Sequence, residues 1–121
     1  MAIATSVNFT NLSGQHIFIA YMFRDFACSA AGGVCSDAPW RVAGWVSLAN
    51  GETQYRDNPT SNRWFYYYAE GANGPPWSGN NIVTVSKAHF EHCQCVDLAG
   101  GYAVGMADLD LAVWGGVTFY P

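Results

Sequence analysis

RWFYYYAEGANGPPWSG, residues 63 to 79, places Trp64, Phe65, Tyr66, Tyr67 and Tyr68 in consecutive positions, then breaks into a Gly, Asn and Pro loop carrying Trp77. Successive side chains of an extended strand point to opposite faces, so this run puts aromatic rings on both. Such a strand is costly to leave half exposed. It predicts the central strand of a sheet covered on both sides. Each fully buried aromatic contributes roughly 1.5 to 3 kcal/mol, enough for this strand to set the register of its neighbours. The loop that follows presents one large ring at a sheet edge.

The flanking chain reads as short strands. Ile3, Thr5, Val7 and Phe9 alternate with polar and small residues, the period of a strand with one buried face. A turn at residues 11 to 14 leads to a second strand over 16 to 23. Ile17, Ile19, Tyr21 and Phe23 fall on one side of it, and Phe18, Ala20 and Met22 on the other. So short a turn predicts an antiparallel hairpin. Residues 24 to 40 read as a long loop insertion holding Cys28 and Cys35. Strand rhythm resumes over 41 to 48, and Asn50-Gly51 predicts a hairpin turn into a returning strand over 53 to 56. Residues 57 to 62 favour turns almost throughout. Residues 82 to 85 are β-branched, and residues 86 to 92 fit a single helical turn capped by Ser86. Further strands are expected over 94 to 98, 102 to 106 and 109 to 120, with a bulge or close backbone approach at Gly115-Gly116. The expectation is all-β: one antiparallel β-sandwich of about eight short strands, with at most one or two helical turns, spanning residues 1 to 121 as one domain.

Composition narrows the function classes. Half of the 121 residues are hydrophobic and only 12% are charged, so polar cover comes from Ser, Thr, Asn, Gly and Tyr. The net charge of -4 includes just five basic residues, Arg24, Arg41, Arg56, Arg63 and Lys87, scattered without a stripe. That argues against nucleic acid as a partner. No apolar run approaches the roughly 20 residues a membrane helix needs, so no membrane span is expected. The first residues carry no recognisable signal peptide. Four cysteines lean towards an oxidising setting, favouring an extracellular or cell-surface location over the cytoplasm.

Five pieces follow one another in a recognisable order: GW at Gly44, GET at Gly51, YYYAE at Tyr66, WSG at Trp77, and Phe90 followed by Cys93 and Cys95. This order resembles a bacterial family of small domains of unknown function, numbered ten-thirty-six, whose members run G-W, G-E-C, Y-Y-x-Y-A-E, W-x-G, then a late Phe and Cys. The chain departs from that pattern in having Thr10 and Thr53 at positions where the family has Cys, so its cross-linking scheme does not carry over. The resemblance implies a fold and an exported bacterial context rather than an activity.

Three clusters are candidates for chemistry. Residues 88 to 95 hold His89, Glu91, His92, Cys93 and Cys95, donors suited to a soft metal such as zinc, though without the C-x-x-C spacing of a zinc knuckle. The plainer reading makes Cys28, Cys35, Cys93 and Cys95 disulfide partners, with three connectivities open. Cross-bridges between the 28 to 35 loop and the 93 to 95 segment are more natural than a bridge between neighbours. Trp77, stiffened by Pro75 and Pro76 and followed by Asn80 and Asn81, is suited with Tyr67 to stacking on a glycan, or else serves as a lid on the core. Asp108 and Asp110 share one strand face, a pairing suited to a glycosidase or a calcium ion, or to the solvated side of an edge strand.

Ser47, Ser78, Ser86 and the three histidines lie in no recognisable catalytic context, so no enzyme and no cofactor is expected. The reading that results is a non-enzymatic exported binding or assembly module that self-associates, as a homo-oligomer or filament, through edge strands near residues 113 to 120. A glycan-binding module at Trp77 and a metal-binding protein at residues 89 to 95 are the alternatives.

Overall fold

The computed structural model describes residues 3–30, 39–94 and 100–121. Among the described residues, nine strands and one short helix follow in order. They are β1 (Ser6–Asn11), β2 (Ile17–Arg24), α1 (Phe26–Ala30), β3 (Trp40–Leu48), β4 (Thr53–Asp57), β5 (Trp64–Gly71), β6 (Asn81–Val85), β7 (Phe90–Cys93), β8 (Tyr102–Asp110) and β9 (Gly116–Phe119). They form a three-stranded sheet, β4-β1-β9, and a six-stranded sheet, β6-β8-β5-β2-β3-β7. All pairings are antiparallel except β1 with β9. The fold is all-β and sandwich-like, and the larger sheet curls into a half-barrel.

The aromatic run is the interior strand β5, and its alternation sorts two cores. Phe65 and Ala69 join Val7, Phe9, Ile17, Ile19, Val46, Leu48 and Phe119 between the sheets. Tyr68 joins Ala20, Met22, Val42, Val83, Val85, Phe90, Val104 and Met106 inside the curl. The split within β2 follows the expected one: Ile17 and Ile19 face the first core, Ala20 and Met22 the second.

Neither predicted hairpin forms. β1 pairs with β4 and β9, whereas β2 pairs with β3 and β5. Likewise Asn50-Gly51 joins β3 in one sheet to β4 in the other. Both turns are corners that carry the chain between sheets, and buried Asn11 supports them. Its Nδ2 donates to the carbonyls of Gln15 (2.7 Å) and Leu48 (2.9 Å), and its Oδ1 accepts from the Ser13 backbone N–H (2.9 Å) and hydroxyl (2.6 Å). Gly51 N–H donates to the Asn11 carbonyl, and Gly14 N–H to Asn50 Oδ1. Hydrogen bonds from one corner to the other, Asn11 to Leu48 and Gly51, and Gly14 to Asn50, let the pair of corners compete with two flat hairpin ladders.

Other expectations shift in detail. Residues 86–89 form no helical turn; they lead into β7, and Ser86 Oγ accepts from the Ala88 N–H. β8 runs unbroken through Ala107 and Asp108 and lies between β6 and β5, so the Asp108 and Asp110 pair is not on an edge strand. Strand structure after Leu109 is confined to the end of β8 and to β9. The expected strand over 94 to 98 has its Gln94 in a turn and otherwise lies outside the described residues. The close approach expected at Gly115-Gly116 is present: a β-carbon on Gly116 would run into Asn8. Cys28 of α1 is joined to Cys93 of β7, with Cα atoms 5.5 Å apart. This is one of the anticipated cross-bridges, whereas Cys35 and Cys95 lie outside the described residues. No helix among the described residues is long and apolar enough to cross a membrane.

Candidate functional site

Inside the curl, three cross-strand partners form a row: Glu70 on β5 is opposite Phe18 on β2, which is opposite Ser47 on β3. These positions follow from period 2, since Glu70 continues the face of Tyr66 and Tyr68. At this end of the half-barrel, residues 86–89 cross from β6 to β7 as a strap. Trp45 Nε1–H fastens the strap to β3 by donating to the Ser86 carbonyl at 2.7 Å. The Trp45 ring packs edge-on against Tyr68 and Phe90, at 6.2 and 5.9 Å. A β-carbon on Gly44 would meet the Phe90 ring at 2.7 Å, so the neighbouring glycine makes room for this packing.

Wall and strap enclose an open cleft of about 650 Å³ lined by Phe18, Trp45, Ser47, Glu70, Lys87, His89 and Tyr102. Three aromatic rings supply apolar surface, and a carboxylate, an ammonium, an imidazole and two hydroxyls supply polar contacts. Tyr68, just inside, donates its hydroxyl to Glu70 Oε2 at 3.0 Å. Burial first, and this bond second, push the Tyr68 phenol up to about 12. Burial and the same carboxylate also raise the Tyr102 phenol. Ser47 Oγ shares a 2.6 Å hydrogen bond with His16 Nε2, and the His16 ring lies 5.1 Å from Phe18. Apolar rings ringed by a few convergent polar groups are the usual composition of a small-ligand site.

The residues singled out in the sequence are placed elsewhere, and only in part together. Trp77 folds back on β5, exchanging backbone hydrogen bonds with Ala69, and sets its half-buried ring edge-on to Phe119 at 5.5 Å. Tyr67 meets the same Phe119 ring at 5.7 Å. Asn80 is exposed, while Asn81 donates to the Met106 carbonyl at 2.9 Å and to Asp108 Oδ1. Asn81 lines a groove with Met22, Trp40 and Tyr66, separate from the hollow that Trp77 borders with Pro75, Pro76 and Tyr120.

In the 88 to 95 cluster, His89 and Glu91 are exposed while Phe90 and His92 are buried. The Cys93 sulphur is spent in the bridge to Cys28. Among the described residues, no group of three or more His, Cys, Asp or Glu side chains is placed to hold a metal ion. Asp110 is held by Arg63 in a two-pronged contact at 2.9 and 2.7 Å.

A scan against protein-family models, a search of curated proteins and a search of solved structures return no match for this chain.

Sequence reasoning missed Phe18, Trp45, Glu70, Lys87 and Tyr102 as a group. One signal was available: Phe18 and Glu70 both occupy the face that Met22 and Tyr66 define on their own strands. What could not be read was the pairing of β2 with β5 at the register that sets them side by side.

Proposed function

We propose that the protein is a non-enzymatic, exported bacterial binding module whose ligand site is the strapped cleft of the half-barrel. The observation that carries this reading is the lining of that cleft, where Phe18, Trp45 and Tyr102 are interleaved with Ser47, Glu70, Lys87 and His89. The glycan reading at Trp77 required amides beside the ring, and the Asn81 amide is committed to β8. None of Trp77, Tyr67, Asn80 and Asn81 lines the cleft, which has rings and polar groups of its own. The metal reading loses the Cys93 sulphur to the disulfide. Export and bacterial origin rest on the family resemblance and on the Cys28 to Cys93 bridge.

Thermal unfolding against a panel of small anions, cations, zwitterions and neutral sugars tests the cleft. A ligand at 100 times its Kd stabilises by about 2.7 kcal/mol, and the stabilisation should vanish in Phe18→Ser, at a residue that is 43% exposed. A panel with no stabilising member, or a shift that survives Phe18→Ser, overturns the proposal.

A second reading, self-association through edge strands, is favoured by the exposure of Val113, Trp114 and Tyr120 beside β9, an edge of the small sheet.

A further inference from the structure

We propose that the cleft takes a small zwitterion, an ammonium group joined to a carboxylate or phosphate, with Glu70 and the surrounding rings on the cation and Lys87 and His89 on the anion. This rests on the cleft being the ligand site, and it names the class of ligand.

The cleft holds opposite charges that do not neutralise one another. Among the described residues the ion pairs join Arg41 to Asp25 and Glu91, and Arg63 to Asp110; Glu70 and Lys87 take part in none. The two also belong to different parts of the site. Glu70 stands on the wall next to Phe18 in the cross-strand row and beside the Tyr68 and Tyr102 hydroxyls. Lys87 and His89 stand on the strap, which enters β7 on the far side of β3. Glu70 and Ser47 are two strand spacings apart, about 10 Å along the sheet, with the Phe18 ring between them.

Each simpler ligand leaves a charge unanswered. An anion that satisfies Lys87 and His89 brings like charge towards Glu70, and a cation held by Glu70 faces Lys87. A neutral sugar displaces water from both charges and compensates neither. A zwitterion laid across Phe18 answers both. Its ammonium group lies against aromatic faces and a carboxylate, an arrangement that favours an alkylated nitrogen. Its anionic end meets the ammonium of Lys87 and the imidazole of His89.

Calorimetric titration with phosphocholine, choline, inorganic phosphate and glucose separates the outcomes. Phosphocholine should bind at least about tenfold tighter than any of the other three. Glu70→Gln, which keeps an acceptor for Tyr68, and Lys87→Met, at an exposed position, should each weaken it about tenfold without lowering the melting temperature. Co-sedimentation with phosphatidylcholine vesicles distinguishes the sources of this chemistry. Binding to the vesicles assigns a lipid headgroup, and binding to the free compound alone assigns a soluble zwitterion. Choline or glucose binding as tightly as phosphocholine, or wild-type affinity in Glu70→Gln, overturns the zwitterion while leaving the cleft a ligand site. Absence of heat with all four probes, together with a silent thermal panel, overturns both.

Discussion

Two buried polar side chains show how a single residue is used in this fold. Asn11 is fully buried and makes four side-chain hydrogen bonds across the corner between sheets. Asn11→Ala leaves the Leu48 carbonyl and the Ser13 hydroxyl short of partners, and should cost roughly 2 to 4 kcal/mol in urea unfolding. A loss below 1 kcal/mol would mean that water replaces the amide. His92 is the opposite case: it is buried, and neither ring nitrogen meets a partner among the described residues. Burial, and then the nearby Arg41 guanidinium, hold its pKa below the usual 6.5. The unfolded chain therefore binds a proton that the folded chain refuses. The contribution to stability is complete above pH 6.5 and declines as pH falls from there towards the lowered folded value. The urea midpoint should drop between pH 7 and pH 5 in the wild type and drop less in His92→Leu; parallel profiles would exclude His92 as the cause. The sequence marked His92 as a metal donor because donor type is visible there, whereas the strand face it occupies depends on where β7 begins.

Among the elements, β5 was legible and the connections around it were not. Five adjacent aromatics favour a place where both sheet faces are covered, and β5 lies inside the large sheet with Phe65 and Tyr68 buried, Tyr66 and Tyr67 half buried and Trp64 exposed. The turns at Gly14 and Gly51 were placed correctly and misassigned in role. A corner and a hairpin both need glycine at positive φ, here 85° and 87°, and differ in long-range partners such as Asn50 and Asn11 that no local pattern exposes. β7 was hidden because its four residues look like a metal cluster or a helical turn, and it is held as an edge strand by pairing with β3 and by the bridge to α1. The bridge spans 65 residues of sequence, for which loop-closure entropy gives about 4 kcal/mol. Cys93→Ser should lower the unfolding free energy by that order and leave reductant without further effect on that bridge; a variant as stable as the wild type would mean that β7 stands on its ladder to β3.

For the whole molecule, the division into two cores was implicit in the alternation of β2 and β5, but the curl of the larger sheet was not. In the curled sheet β3 comes close to β6, and Trp45 donates to the Ser86 carbonyl just beyond β6. The cleft exists because of that curl, which is why its residues could be named only once the strands were placed. Assembly belongs to this scale too. Among the described residues, β4 and β9 leave the outer edges of the small sheet unpaired, with Val113, Trp114 and Tyr120 exposed nearby. If these edges join copies, size-exclusion chromatography should show a mass that grows with concentration and returns to that of a monomer in Trp114→Glu; a monomer throughout at high concentration would remove the assembly reading. The parallel pairing of β1 with β9 also has a bearing on the order of events during synthesis. β1 leaves the ribosome before both of its neighbours, β4 and β9, and β9 follows every other strand of the two sheets. Until residue 119 has emerged, Val7 and Phe9 lack the Phe119 wall of their core, and the small sheet is only a pair of strands. Among the described residues the small sheet is therefore completed only once β9 has been made.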